Sequence, residues 1–246
     1  GTPLWSKNEV VVPAMSLRLE LGCAYHGTDH LLETYLGQRA ASRVRAGETG
    51  RGHGEQVGGA LWLCTLRGFD AVVDERPMDR VLRLLDVYLE CIAEPIVEGG
   101  GEILDIAGEA VLAIFPTRGR EALHSCRQAL AAARRAFSAA QELNADRRSL
   151  GGTPLAFRIA LHIGVVTHGS VAAATRRGFV VVGPAVNDLR RVDVVCRQLG
   201  KPLLMTEAFA RCVDDDVVSV GRHPLAETGE RALFTLGAYA RRDRGS

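Results

Sequence analysis

Residues 102–115, EILDIAGEAVLAIF, limit the fold more than any other stretch of this chain. They read as two apolar strands, 102–106 and 110–115, joined through Ala107-Gly108-Glu109. Asp105 and Glu109 interrupt an otherwise apolar run. Burying a carboxylate is costly unless something pairs with it or ligates it, so both acids call for an explanation. The flanking pattern alternates strand and helix. Val57–Thr65 reads as a strand, and Met78–Val97 carries apolar residues at 81, 84, 85, 88, 89 and 92, the spacing of one helical face. Gly99–Gly101 ends that helix. An alanine-rich helix follows over about 119–145, then a strand over Leu155–Thr167 with alternation at Phe157, Ile159 and Leu161. The resulting order, β-α-β-β-α-β, is the ferredoxin-like pattern. A short strand at Gly178–Val182, a helix at Pro184–Leu199 and two strands near 217–221 and 232–237 complete the reading. The expected class is α+β, a mostly antiparallel sheet flanked by helices.

Upstream, Ser6-Lys-Asn-Glu9 fits a capping box, with a helical pattern through Leu17, Leu19 and Leu21. His26-Gly-Thr-Asp29 breaks it, and Leu31, Leu32, Tyr35 and Leu36 suggest a second helix. The glycine-rich stretch Arg45–Gly54 reads as a linker. The expected organisation is a helical connector over 1–55, a catalytic-type domain over 56–240 and a tail over 241–246. The chain begins at Gly1, so either a tag has been removed or this is a piece of something longer.

Composition excludes several classes. A net charge of +1 and 5% aromatic residues argue against a nucleic-acid surface built on charge and stacking. No apolar run approaches the roughly 20 residues needed to cross a bilayer, and no secretory signal is recognisable. The six cysteines form no CxxC pair and most lie in apolar surroundings, which reads as reduced thiols in a cytoplasmic protein. His162 and His168 lack metal-ligand spacing with the cysteines and read as structural.

Four blocks, CTLRGFDAV (64–72), GGEILDIAGEAVLAIF (100–115), RIALHIGVV (158–166) and VVVGPAVNDLRRV (180–192), resemble, in order and spacing, the signature blocks of the class III adenylate/guanylate cyclase catalytic domain. VGRHPLAETGERALFTL (220–236) is similar to the closing strands of that family. LLETYLGQRAASRVRAGE (31–48) resembles the lead-in of a bacterial subgroup with an N-terminal sensor-like domain.

The resemblance implies a head-to-tail homodimer with sites at its interface. One subunit contributes two aspartates holding two divalent metals. The other contributes purine-reading residues, an Asn and an Arg. The ribose 3′-hydroxyl attacks the α-phosphate and pyrophosphate leaves, with the metals activating one oxygen and neutralising the other.

Carried over by position, the metal aspartates fall at Thr65 and Glu109. Threonine is a weak ligand for a hard cation, and glutamate reaches one methylene further than aspartate, whereas magnesium demands near-ideal octahedral geometry. Asp105 falls where adenylate cyclases place an adenine-reading lysine. Lysine only donates and an ionised aspartate only accepts, so Asp105 fits guanine if it reads a base at all. The second purine position falls at Val180, which offers no hydrogen bond. The polyphosphate loop corresponds to Arg67, Gly68, Phe69 and Asp70, with an aspartate where Thr or Ser is common. A lysine of the closing hairpin falls at Ala226. Asn187 and Arg191 keep the N-x-x-x-R spacing, which puts both on one helical face. Asn would orient the ribose, and Arg would stabilise charge on the α-phosphate.

Three readings stand. One is a purine nucleotide cyclase in cyclic-nucleotide signalling, impaired or inactive, using magnesium or manganese if active and no cofactor if not. Another is a catalytically dead dimerisation or regulatory module, a pseudoenzyme. The third is the non-metal half of a heterodimer, lending Asn187 and Arg191 to a partner cyclase chain.

Overall fold

The computed structural model describes residues 33, 37–48, 54–117, 121–149, 154–173, 176–214, 216–226 and 229–240. The chain divides into two compact units, residues 1–50 and 51–246. In the first, helix α1 (Gln38–Arg45) is described, with Ala40, Ala41 and Arg43 buried. The helical patterns at Ser6–Leu21 and at Leu31, Leu32, Tyr35 and Leu36 lie outside the described residues.

The second unit runs β1 (Gly54–Leu66), α2 (Phe69–Glu75), α3 (Met78–Glu98), β2 (Glu102–Ala107), β3 (Ala110–Pro116), α4 (Ala122–Ser149), β4 (Phe157–Ala173), β5 (Arg176–Val182), α5 (Pro184–Gln198), β6 (Leu203–Thr206), α6 (Glu207–Ala210), β7 (Val217–Ala226), β8 (Gly229–Leu236) and α7 (Gly237–Ala240). The β-α-β-β-α-β order is present, as β1, α3, β2, β3, α4 and β4. The described strands form one sheet, ordered β2-β3-β1-β4-β6-β8-β7, with β5 paired to β4. All pairings are antiparallel except β4 with β6. The class is α+β, as expected.

The two faces of the sheet carry separate cores. On one face Trp62, Cys64, Leu66 and Phe115 pack with Tyr88 and Ile92 of α3 and the small side chains Ala129, Ala132, Ala133 and Ala136 of α4. A run of alanines leaves no room for long side chains and lets α4 lie close on the strands. On the other face Leu61, Leu63 and Ile114 pack with Val186, Leu189, Val192 and Val195 of α5. Alternate residues of β1 thus serve opposite cores, as the two-residue strand period requires.

Several boundaries differ from the pattern reading. β1 begins at Gly54 and β4 runs on to Ala173, because each extends the other's ladder from Leu66 opposite Phe157 to Gly54 opposite Gly169. β4 then continues as a hairpin with β5. β6, only four residues and wholly buried, had no alternation to reveal it.

Candidate functional site

The end of β1 and the tip of the β2–β3 hairpin form one corner of the sheet. Thr65, only 5% exposed, lies opposite Ala110 of β3 on one side and Arg158 of β4 on the other. The Leu66 N–H donates to the Glu109 carbonyl at 3.2 Å, which fixes the hairpin tip beside Thr65. Gly108 makes the turn with φ +59°, a left-handed conformation that favours glycine, although a side chain there would meet only open space. Glu109 is half-buried. Its charge is felt at Tyr88, whose hydroxyl is pushed up first by burial, then by the Cys64 thiol, then by Glu109. Burial also pushes the Cys64 thiol up. The two positions that sequence reading assigned to metal therefore lie together. They offer one carboxylate and one buried hydroxyl. Among the described residues no three His, Cys, Asp or Glu side chains are grouped to hold a metal ion.

Past this corner the chain enters α2. The Arg67 N–H donates to the Ala156 carbonyl at 2.8 Å, and Gly68 takes φ +71° at the helix N-cap. Asp70 is exposed in the first turn of α2. Phe69 packs against the core on the α3–α4 face.

Asp105 is exposed on β2, opposite Leu112, just after a register shift between Ile103 and Asp105. Val180 is half-buried on β5, opposite Gly169. β2 and β5 approach one another but are not paired in the sheet. Ala226 pairs with Gly229 in the closing hairpin.

Asn187 and Arg191 lie on α5. Pro184 opens this helix, and the Gly183 carbonyl accepts from the Val186 and Asn187 N–H groups. The helix seats closely on β4 at Gly164. A Cβ on Gly164 would stand 2.6 Å from the Cβ of Ala185, so only glycine fits there. Asn187 is exposed, and Arg191 is half-exposed with its Nη1 donating to Asp188 at 3.1 Å. Gly164 lies six residues along β4 from Arg158, the partner of Thr65, or roughly 20 Å of strand. The N-terminal end of α5 is thus well removed from the Thr65 corner within one chain.

One pair escaped the sequence reading. Arg158 donates to Asp193 twice, Nε to Oδ1 at 2.6 Å and Nη2 to Oδ2 at 3.0 Å, with side chains 11% and 14% exposed. This bidentate pair ties α5 to the strand beside Thr65. The available signal was Asp193 two residues after Arg191, on the inward side of the same helix. His162 holds Thr206 at 2.9 Å through Nδ1, and burial lowers its pKa. His168 is buried and stacks on Phe179 at 5.3 Å. Both act in packing.

No family model matches the chain. It is 31% identical over 156 residues to an adenylate cyclase of Anabaena cylindrica, covering 61% of this chain and 30% of that protein. It is 30% identical over 150 residues to adenylate cyclase 1 of Rhizobium meliloti (strain 1021), covering 59% and 22%. The chain thus spans less than a third of either curated relative. Among solved structures, a bacterial light-regulated adenylyl cyclase superposes with a TM-score of 0.71 at 21% identity, covering 95% of this chain and 67% of that one. A guanylyl cyclase superposes with a TM-score of 0.62 at 22% identity, covering 74% of this chain and 92% of that one. The chain thus has the fold of a nucleotide cyclase catalytic domain. Among the described residues, no helix is long and apolar enough to cross a membrane.

Proposed function

We propose that this cyclase homology domain acts in cyclic-nucleotide signalling as a weak purine nucleotide cyclase. Its better-kept contribution is Asn187 and Arg191, presented to a second chain. The reading rests on one observation: Thr65 and Glu109 share a corner that holds a single carboxylate. Two divalent cations need several hard oxygen ligands in tight geometry, and this donor set does not fit a two-metal centre. Asn187 is exposed and Arg191 half-exposed on α5, which supports a site completed by a second chain in a head-to-tail dimer. Closed two-fold dimers are also the commonest oligomer.

The same observation favours a second reading, a heterodimer in which a partner cyclase chain supplies both metal aspartates. If a base is read, the acceptor Asp105 suits guanine rather than adenine.

The test is cyclic nucleotide production from ATP and GTP with magnesium and with manganese. Turnover near background is expected, higher with manganese, and Thr65→Asp with Glu109→Asp should raise it about 10²-fold. Robust wild-type turnover with magnesium would refute the weak-site reading. Complementation tests the division of labour. A chain carrying Thr65→Asp, Glu109→Asp and Arg191→Ala should be inactive alone and gain activity when mixed with wild type. If mixing adds nothing while light scattering shows mixed dimers, Asn187 and Arg191 do not serve a partner's site.

A further inference from the structure

Two cysteines that the cyclase chemistry does not use meet at the edge of the core beneath α3 and α4. Cys126 lies on α4 and is fully buried in that core. Cys212 lies in the turn that follows α6, half-buried, and packs against the same core. Its Sγ donates to the Ala208 carbonyl at 3.4 Å, and the Cys126 thiol hydrogen-bonds to the Cys212 side chain. The two segments are fixed beside each other around this contact. Arg127, the residue after Cys126, pairs with Asp214. Phe209, Ala210 and Val213 belong to the core that holds Cys126. Both cysteines are free thiols in this structure.

The pair is unequal. Burial first, then the charge and the hydrogen bond of Cys212, push the Cys126 thiol up. Cys126 therefore keeps its proton and is out of reach of a molecule in solution. Cys212 is the sulfur that such a molecule meets. Beyond burial, the groups acting on the other described thiols are chiefly Tyr88 at Cys64, Glu90 and Arg147 at Cys91, and Asp193 and Arg158 at Cys196. None of these is a second sulfur.

We propose that Cys126 and Cys212 form a reversible disulfide by exchange with a low-molecular-weight disulfide, Cys212 reacting first. The Cys212 thiolate attacks one sulfur of the small disulfide, RSSR. Its S–S bond breaks, and RS⁻ leaves and takes a proton. Cys126 then gives up its proton and attacks the Cys212 Sγ of the mixed disulfide, expelling the second RS⁻, which also becomes RSH. Two protein thiols are oxidised and one RSSR is reduced to two RSH. Bonded sulfurs stand about 2 Å apart, so the contact must close further. Cys212, on a turn at the surface, is the side that moves. The bond ties α4 to the segment between β6 and β7. Disulfides of reducing compartments are typically transient and redox-sensing, and an exposed thiol with a buried partner suits that use. The proposal does not depend on the cyclase reading.

The test is incubation of the whole chain with glutathione disulfide, alkylation of the remaining free thiols and peptide mapping by mass spectrometry. Wild type should gain a bond between Cys126 and Cys212, become lighter by two hydrogens, and recover both thiols in dithiothreitol. Cys126→Ser removes the resolving thiol and should leave glutathione bound to Cys212. Cys212→Ser, at a half-buried position, should lose the bond and keep Cys126 unmodified; it guards against misfolding of the core variant. The proposal is overturned if wild type keeps both thiols free, or if Cys212 holds glutathione while Cys126 stays free. Modification of Cys126 in Cys212→Ser, or a bond that forms only in urea, overturns it as well.

Discussion

The Thr65 corner and the α5 surface are built by opposite means. Thr65 and Glu109 are joined by backbone alone: a strand register, a glycine turn and the Leu66–Glu109 bond. Such a frame holds its shape whatever side chains it carries, so a ligand can be replaced without any consequence for folding. α5 is held by side chains: Gly164 against Ala185, and Arg158 against Asp193. There the residues that position Asn187 and Arg191 also hold the domain together. The lesson is that retention of a site residue reports on chemistry only where the fold does not need its neighbours.

That contrast can be broken experimentally, beginning with the largest effect. Asp193→Ala leaves Arg158 buried without its carboxylate and should cost about 3–5 kcal/mol of stability in urea unfolding. A loss under 1 kcal/mol would mean that α5 is seated by apolar packing alone. Gly164→Ala forces the helix away from the strand and should cost about 1–3 kcal/mol. It should also lower any activity that depends on Asn187. Gly108→Ala, at φ +59° with open space around it, should cost about 1 kcal/mol from backbone strain alone. Thr65→Val keeps the shape of a buried side chain whose neighbours are fixed by the backbone. It should shift the melting midpoint by the equivalent of less than about 1 kcal/mol, against the several kcal/mol at Asp193.

The smallest expected effect is electrostatic. Burial lowers the pKa of His162 from its ordinary 6.5, so the unfolded chain takes up this proton before the folded one does. The stability tied to neutral His162 is intact above the unfolded value, falls as pH drops below 6.5, and is fully lost below the folded pKa. Asp188, which favours the charged form, opposes this and keeps the effect small. Unfolding midpoints between pH 7.5 and 5 should decline less steeply in His162→Gln. An identical slope would assign the decline to other groups.

Much of the fold was legible because it is local. The apolar face of α3 and the alternation at Phe157, Ile159 and Leu161 each report burial within one element, and those elements lie where the pattern put them. The continuation of β4 beyond Thr167 was hidden because Gly169 looks like a break, whereas it sits within the ladder opposite Gly54 and Val180. At the site, the nearness of Thr65 and Glu109 follows from a hairpin beside its neighbouring strand, and motif order was enough to see it. The Arg158–Asp193 pair joins a strand to a helix 35 residues away, and no spacing rule reaches that far.

The parallel ladder between β4 and β6 has a consequence for how the chain emerges during synthesis. Ile159–Leu161 pair with Leu203–Met205, and the Ile159 N–H donates to the Pro202 carbonyl at 2.8 Å. Until residue 206 has left the ribosome, a complete β-α-β-β-α-β core stands with the inner flank of β4 unpaired. Open N–H and C=O groups on such an edge invite another chain. The segment 202–206, buried at every position of its strand, thus acts as a late seal. A nascent chain stalled before it would be prone to pair with its neighbours on the same message, and that hazard would vanish once β6 had closed the edge.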